Sequence, residues 1–158
     1  MYINIYILKI ADPPVASAVF RKPNGKGVAM KRSLDVAAIV LTALLLLAFA
    51  ALSLRGLITP EQASARFGAP VADAAGSLFY RVYLSRNLVI TVTGAIFLLT
   101  RQWTPLAILL TVTAALPVFD MTVLSSNGVT PPVFHPLALV LIAITAALAW
   151  RRVAAGKG

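Results

Sequence analysis

The chain has 158 residues, 59% of them hydrophobic and only 12% charged, and carries a formal net charge of +9. Its mean hydropathy of +0.88 lies beyond that of an ordinary soluble domain, and its lack of cysteine excludes disulfides, thiolate catalysis, iron–sulfur clusters and cysteine-ligated zinc. In so apolar a chain the excess of Lys and Arg belongs to the cytoplasmic flanks of membrane helices, so the expected partner is the lipid bilayer and not nucleic acid.

The apolar residues gather in blocks close to the length of about 20 residues that spans the hydrocarbon. The expected fold is therefore all-α: one domain over residues 30–158, a bundle of four transmembrane helices with both termini cytoplasmic. Residues 1–29 stand apart. Asp12-Pro13-Pro14 breaks any regular element, and a basic stretch with Arg21, Lys22 and Lys26 follows. Met30-Lys31-Arg32 reads as a natural beginning, so residues 1–29 are either a start assigned too early or a disordered basic arm near anionic headgroups.

The first span is expected over 34–54, with Asp35 near its start. A signal peptide cleaved at Ala48-Phe49-Ala50 is the rival reading, but the apolar run outlasts the 7–15 residues of a usual h-region. Thr59-Pro60-Glu61 then supplies an N-cap, a proline at the first helical position and an early acid, and Gly68 with Pro70 stops the turn. This predicts a short interfacial helix from Pro60 to Phe67. The second span is expected over 72–100, and Arg101-Gln102 turns the chain. The third, 103–124, contains Pro117, whose missing N–H leaves the carbonyl near Thr113 without its helical donor. A Ser/Asn/Gly/Pro loop leads to the fourth, 136–150, which ends at Arg151 and Arg152.

Four crossings put both termini on one side. Ten of the 14 Lys and Arg residues fall on that side, and only Arg55, Arg66, Arg81 and Arg86 on the other. The bias places the termini in the cytoplasm of a cell (plasma or inner) membrane.

The second span carries polar groups where lipid favours leucine. Gly76, Tyr80, Tyr83, Asn87, Thr91, Gly94 and Leu98 share one face at steps of three or four, a mixture of small and polar groups suited to neighbouring helices. Charged residues at membrane depth face partners or a watery cavity. Counted from the Arg101 turn, Arg86 lies about 21 Å up the second span and Asp120 about 26 Å up the third. His135 opens the fourth helix on the same side. These depths predict an outer-leaflet polar pocket of Arg86, Asn87, Asp120 and His135, with Arg86 and Asp120 paired. Arg81 is expected to snorkel to headgroups and the tyrosines to join an aromatic belt.

Within that pocket, Asp120 and His135 are the candidate catalytic pair for proton transfer on an apolar substrate. Arg86, Asn87, Tyr83 and Arg81 are the candidate ligand-binding residues. With one histidine and no cysteine the chain offers no zinc site, and it has no glycine-rich phosphate loop. No metal and no cofactor are expected. Three readings stay open: a binding protein for a small lipophilic molecule, a membrane enzyme catalysing epoxide opening, cyclisation or isomerisation, and an accessory subunit whose buried pair only sets helix packing.

Thr59-Pro60, Arg66-Phe67-Gly68-Ala69-Pro70, Tyr80-Arg81-Val82, Arg86-Asn87, Gly94, Pro117 to Asp120 and His135 together resemble a family of small four-helix integral membrane proteins of unknown function. The resemblance spans roughly Leu54 to Arg152. Family members usually carry Arg-Asp where this chain has Arg86-Asn87, and commonly His-Gly where it has His135-Pro136. If that acid only holds Arg86, asparagine can take over part of its role; if it takes part in chemistry, this chain lacks the reacting group. More distantly, the outline is similar to DoxX-like membrane proteins, an analogy of architecture alone.

Overall fold

A computed structural model describes residues 25–156, and every element in them is helical: α1 (Gly25–Ile58), α2 (Pro60–Phe67), α3 (Ala74–Leu99), α4 (Trp103–Thr113), α5 (Ala115–Ser126) and α6 (Phe134–Ala154). Four helices are long and apolar enough to cross a membrane: Ala29–Ile58, Ala74–Leu99, Trp103–Ser126 and Phe134–Ala154. Large apolar side chains such as Leu44, Leu47, Leu52, Val89 and Phe119 stay exposed on their outer faces. That pattern suits a hydrocarbon solvent, which has no reason to exclude them.

The boundaries follow local chemistry. Pro60 to Phe67 matches the expected interfacial helix, closed by Gly68 in the left-handed region at φ +96°. Asp73 caps α3 by accepting from the Gly76 N–H at 2.7 Å. The third span is broken at Ala114, between α4 and α5. Pro117 three residues on cannot donate to the Thr113 carbonyl, and its ring crowds that carbonyl, so the ladder opens there. The first helix starts at Gly25, well before the expected 34; the rest of the proposed basic arm lies outside the described residues.

α1 packs along α3, and α4 packs along α6. Glycines set the first contact. A Cβ on Gly56 of α1 would collide with Leu84 of α3, and one on Gly94 of α3 would collide with Leu46 of α1. Each helix thus offers a notch to the other's leucine. Small residues set the second: Ala107 on α4 and Ala146 and Ala149 on α6 are buried with Trp103, Leu106, Leu110 and Ile142 in the core cluster, allowing close backbone approach. Trp150 Nε1 donates to Thr111 Oγ1 at 2.9 Å across the same pair.

This core lies toward the end of the bundle where the chain turns at Arg101. At that end Arg151 pairs with Asp35 at 3.1 Å, Arg152 Nη1 donates to the Asp35 carbonyl at 2.9 Å, and the Arg152 guanidinium stacks 4.0 Å over Trp103. The start of α1, the start of α4 and the end of α6 are thereby tied together. The opposite end is looser. No Cα of α3 comes within 8 Å of one in α5 among the described residues, so these helices diverge from the Arg101 turn and only side chains span the distance between them.

Candidate functional site

The second span's polar stripe turns away from the exposed side of α3. Along that stripe Thr91 and Gly94 are buried and Gly76, Tyr80, Tyr83, Asn87 and Leu98 are half-buried, whereas Arg81 and Arg86 are exposed. The inward face expected from the spacing is the inward face of the helix. Tyr83 reaches from α3 toward Asp120 on α5 and also meets Asn87, one turn along its own helix. Tyr80 stacks on Tyr83 with ring centroids 6.0 Å apart and feels the Asp120 charge as well.

The expected Arg86–Asp120 pair does not form. Arg86 is exposed, and among the described residues it makes no ion pair. The basic side chain beside Asp120 is His135, whose Nδ1 lies 3.8 Å from Oδ2. Rotation about the α3 axis decides which side chain reaches Asp120, and that side chain is Tyr83.

His135 is the fixed point of the site, its side chain only 2% exposed against 23% for Asp120. Its Nε2 lies 3.3 Å from the Phe67 carbonyl oxygen. Both ring nitrogens therefore face acceptors. The Phe67 carbonyl calls for a donor at Nε2, while the 3.8 Å between Nδ1 and Asp120 is longer than a hydrogen bond. Of the two groups, the Asp120 carboxyl is the more accessible.

Phe67 stands at the centre of an aromatic cluster. Its ring meets His135 edge-on at 4.8 Å, Tyr83 at 5.9 Å, Tyr80 at 6.3 Å and Phe134 at 6.3 Å. The tyrosines thus belong to an inward cluster and not to a belt at the lipid interface. Phe67 can occupy this place because α2 ends at that residue. Ser64, fully buried, donates from Oγ to the Glu61 carbonyl at 3.0 Å and accepts from the Val71 N–H at 3.1 Å. That bond folds the strap after α2 back on itself, and Pro132 packs against Gly68 where a Cβ would stand 3.2 Å from its Cδ. Sequence reasoning passed over Phe67 and Ser64; the signal was the compact Arg66-Phe67-Gly68-Ala69-Pro70 run, in which a left-handed glycine fixes the direction of the aromatic before it.

Asp120, His135, Tyr83 and Asn87 thus come together, joined by Tyr80 and Phe67, while Arg86 and Arg81 stay outside. Arg81 instead lines a separate cavity between α2 and the start of α3. No group of three or more His, Cys, Asp or Glu side chains suited to a metal ion occurs among the described residues.

A family model described as a domain of unknown function, DUF4267, matches residues 46–149. The chain belongs to that family. The DUF4267 match opens at Leu46, the leucine seated on Gly94, and takes in α2, the aromatic cluster, Asp120 and His135. It stops short of Arg151 and leaves out Asp35, so the clamp at the other end of the bundle lies beyond the matched segment. No curated protein and no solved structure matches the chain, and the DoxX-like outline gains no support from these comparisons.

Proposed function

We propose that this DUF4267 protein is a multi-pass membrane protein that binds a small lipophilic or amphipathic molecule between α3 and α5, with Asp120 as the polar anchor. The observation that carries this reading is the state of Asp120: a carboxyl group in a membrane-spanning helix, 23% exposed, with no Lys or Arg in ion-pair range among the described residues. Intramembrane acids of this kind face a partner or a ligand. A hydroxyl or amine on an otherwise apolar molecule would meet the carboxyl and the Tyr83 hydroxyl, while exposed apolar side chains such as Phe119 and Val123 on α5 would flank its tail. The charge bias of the chain favours cytoplasmic termini and hence a site in the outer leaflet of the cell membrane.

The Asp120–His135 contact favours a second reading, acid/base chemistry on an apolar substrate. An isomerisation or cyclisation that takes a proton at one carbon and returns it at another consumes nothing, and a carboxyl backed by an imidazole can hold that proton between steps. Epoxide opening would additionally draw on water.

The test is mass spectrometry of small molecules extracted from the purified protein, wild type beside Asp120→Asn and Tyr83→Phe, each checked for an unchanged melting temperature. Binding predicts a species enriched in the wild type and depleted in both variants. Identical extracts from all three proteins overturn the proposal. Turnover of an enriched species by wild type and not by Asp120→Asn would select the second reading.

A further inference from the structure

A second feature lies on the outside of the bundle, at the α2 end, and is independent of the Asp120 site. A cavity of about 490 Å³ opens between α2 and the start of α3, lined by Glu61, Val71, Asp73, Ser77, Leu78 and Arg81 among others. Asp73, Ser77 and Arg81 follow at four-residue steps and so share one face of α3. Glu61 faces them from α2, held there by Ser77 Oγ, which donates to Glu61 Oε1 at 3.2 Å.

The charges of this cavity are separated and only partly used. Asp73 spends Oδ1 on the Gly76 N–H and Glu61 spends Oε1 on Ser77; the second oxygen of each accepts no bond among the described residues. Arg81 is exposed and has neither an ion pair nor a hydrogen bond among them. Along the axis Arg81 stands about 12 Å from Asp73, and a helical side chain leans toward the N-terminus, which brings the guanidinium back over the cavity. Asp73 and Arg81 thus mark the two ends of this face, and Glu61 stands opposite Ser77 between them. The next surface is apolar, with Leu78 65%, Phe79 81% and Val82 44% exposed.

We propose that this cavity is a binding site for the headgroup of a zwitterionic phospholipid carrying a primary amine, of the phosphoethanolamine class. The phosphate meets Arg81, the ammonium meets Glu61 and Asp73, and the acyl chains run over Leu78, Phe79 and Val82. An anionic headgroup lacks the positive group that the two carboxylates require. A trimethylammonium group cannot donate to carboxylates, and no aromatic side chain lines the cavity to cage it instead. The adjoining apolar surface argues for a lipid over a free phosphoester.

The test is native mass spectrometry of the full chain released from nanodiscs of equal parts phosphatidylethanolamine, phosphatidylcholine and phosphatidylglycerol. Wild type should retain phosphatidylethanolamine about fivefold over each of the others, the scale of a partly exposed ion pair. Arg81→Ala and Glu61→Gln should bring retention to near parity. Arg81→Lys, which keeps the charge, and Arg55→Ala, an exposed arginine elsewhere at this end, should keep the preference. Equal retention by the wild type, or a preference that survives Arg81→Ala, overturns the proposal. Displacement of the bound lipid by millimolar glycerophosphoethanolamine would overturn the lipid as the source.

Discussion

Asp120 on α5 and His135 at the start of α6 face each other at 3.8 Å, while the far side of the His135 ring is taken by the Phe67 carbonyl at 3.3 Å. The histidine joins the end of the short helix α2 to Asp120 on α5. It positions, and the carboxyl next to it is the group left accessible.

His135→Ala should therefore act mainly on stability. It removes a buried ring in contact with Phe67 and Phe134 and leaves the Phe67 carbonyl without its donor, a loss of about 2–4 kcal/mol. Asp120→Asn keeps the shape and the reach to Tyr83, and should cost under about 1.5 kcal/mol. Thermal unfolding in a mild detergent compares the two; equal losses would contradict the division of roles.

The notch of Gly56 predicts a coupled pair. Gly56→Ala pushes a methyl group into Leu84, which is buried and cannot swing away freely. The overpacking should cost about 1–3 kcal/mol, less what alanine returns through helix propensity, up to about 1 kcal/mol. Adding Leu84→Ala should make the double variant more stable than the sum of its single losses. A double-mutant cycle on unfolding measures this coupling.

At the opposite end, the Asp35–Arg151 pair is partly shielded, with side chains 18% and 36% exposed. Asp35→Ala removes the carboxylate that faces Arg151 while Arg152 keeps its backbone acceptor. We expect a loss of about 1–2 kcal/mol, with a coupling to Arg151→Ala of about 1 kcal/mol. Since Arg101 and Arg151 both crowd Arg152, Arg101→Ala should stabilise the Asp35→Ala background. Melting temperatures of the single and combined variants test each statement.

Thr42 on α1 is fully buried, and its hydroxyl has no hydrogen-bond partner among the described residues. Thr42→Val keeps the shape and removes the orphan donor, so it should be neutral or stabilising by about 1 kcal/mol. Thr145, equally buried, donates to the Leu141 and Ile142 carbonyls at 3.0 and 2.9 Å, so no unpaired hydroxyl is relieved by Thr145→Val. Comparison of the two valine variants in one unfolding assay separates them.

Much of the architecture is legible in the residues alone because it answers to local rules. Run length against bilayer thickness gives the four spans. Pro60 and Gly68 delimit α2 to the residue, since a fixed φ and a left-handed turn act over single positions; the expected Thr59 cap does not form, because its hydroxyl donates back to the Arg55 carbonyl at 3.1 Å. Pro117 marks the break at Ala114 for the same reason. The small and polar stripe of α3 points inward as its spacing predicts.

The partners of the charged groups are a different matter. Hydropathy alternates little around these helices, because lipid and neighbouring helix accept the same side chains, so periodicity does not say which charged residue turns in. Depth put Arg86 level with Asp120, yet the packing of α1 on α3 through Gly56 and Gly94 sets the rotation that sends Tyr83 inward and Arg86 out. Phe67 reaches His135 across 68 positions of sequence, and Asp35 meets Arg151 across 116. Such contacts follow from which helices touch and how far they diverge, and those are properties of the packed bundle.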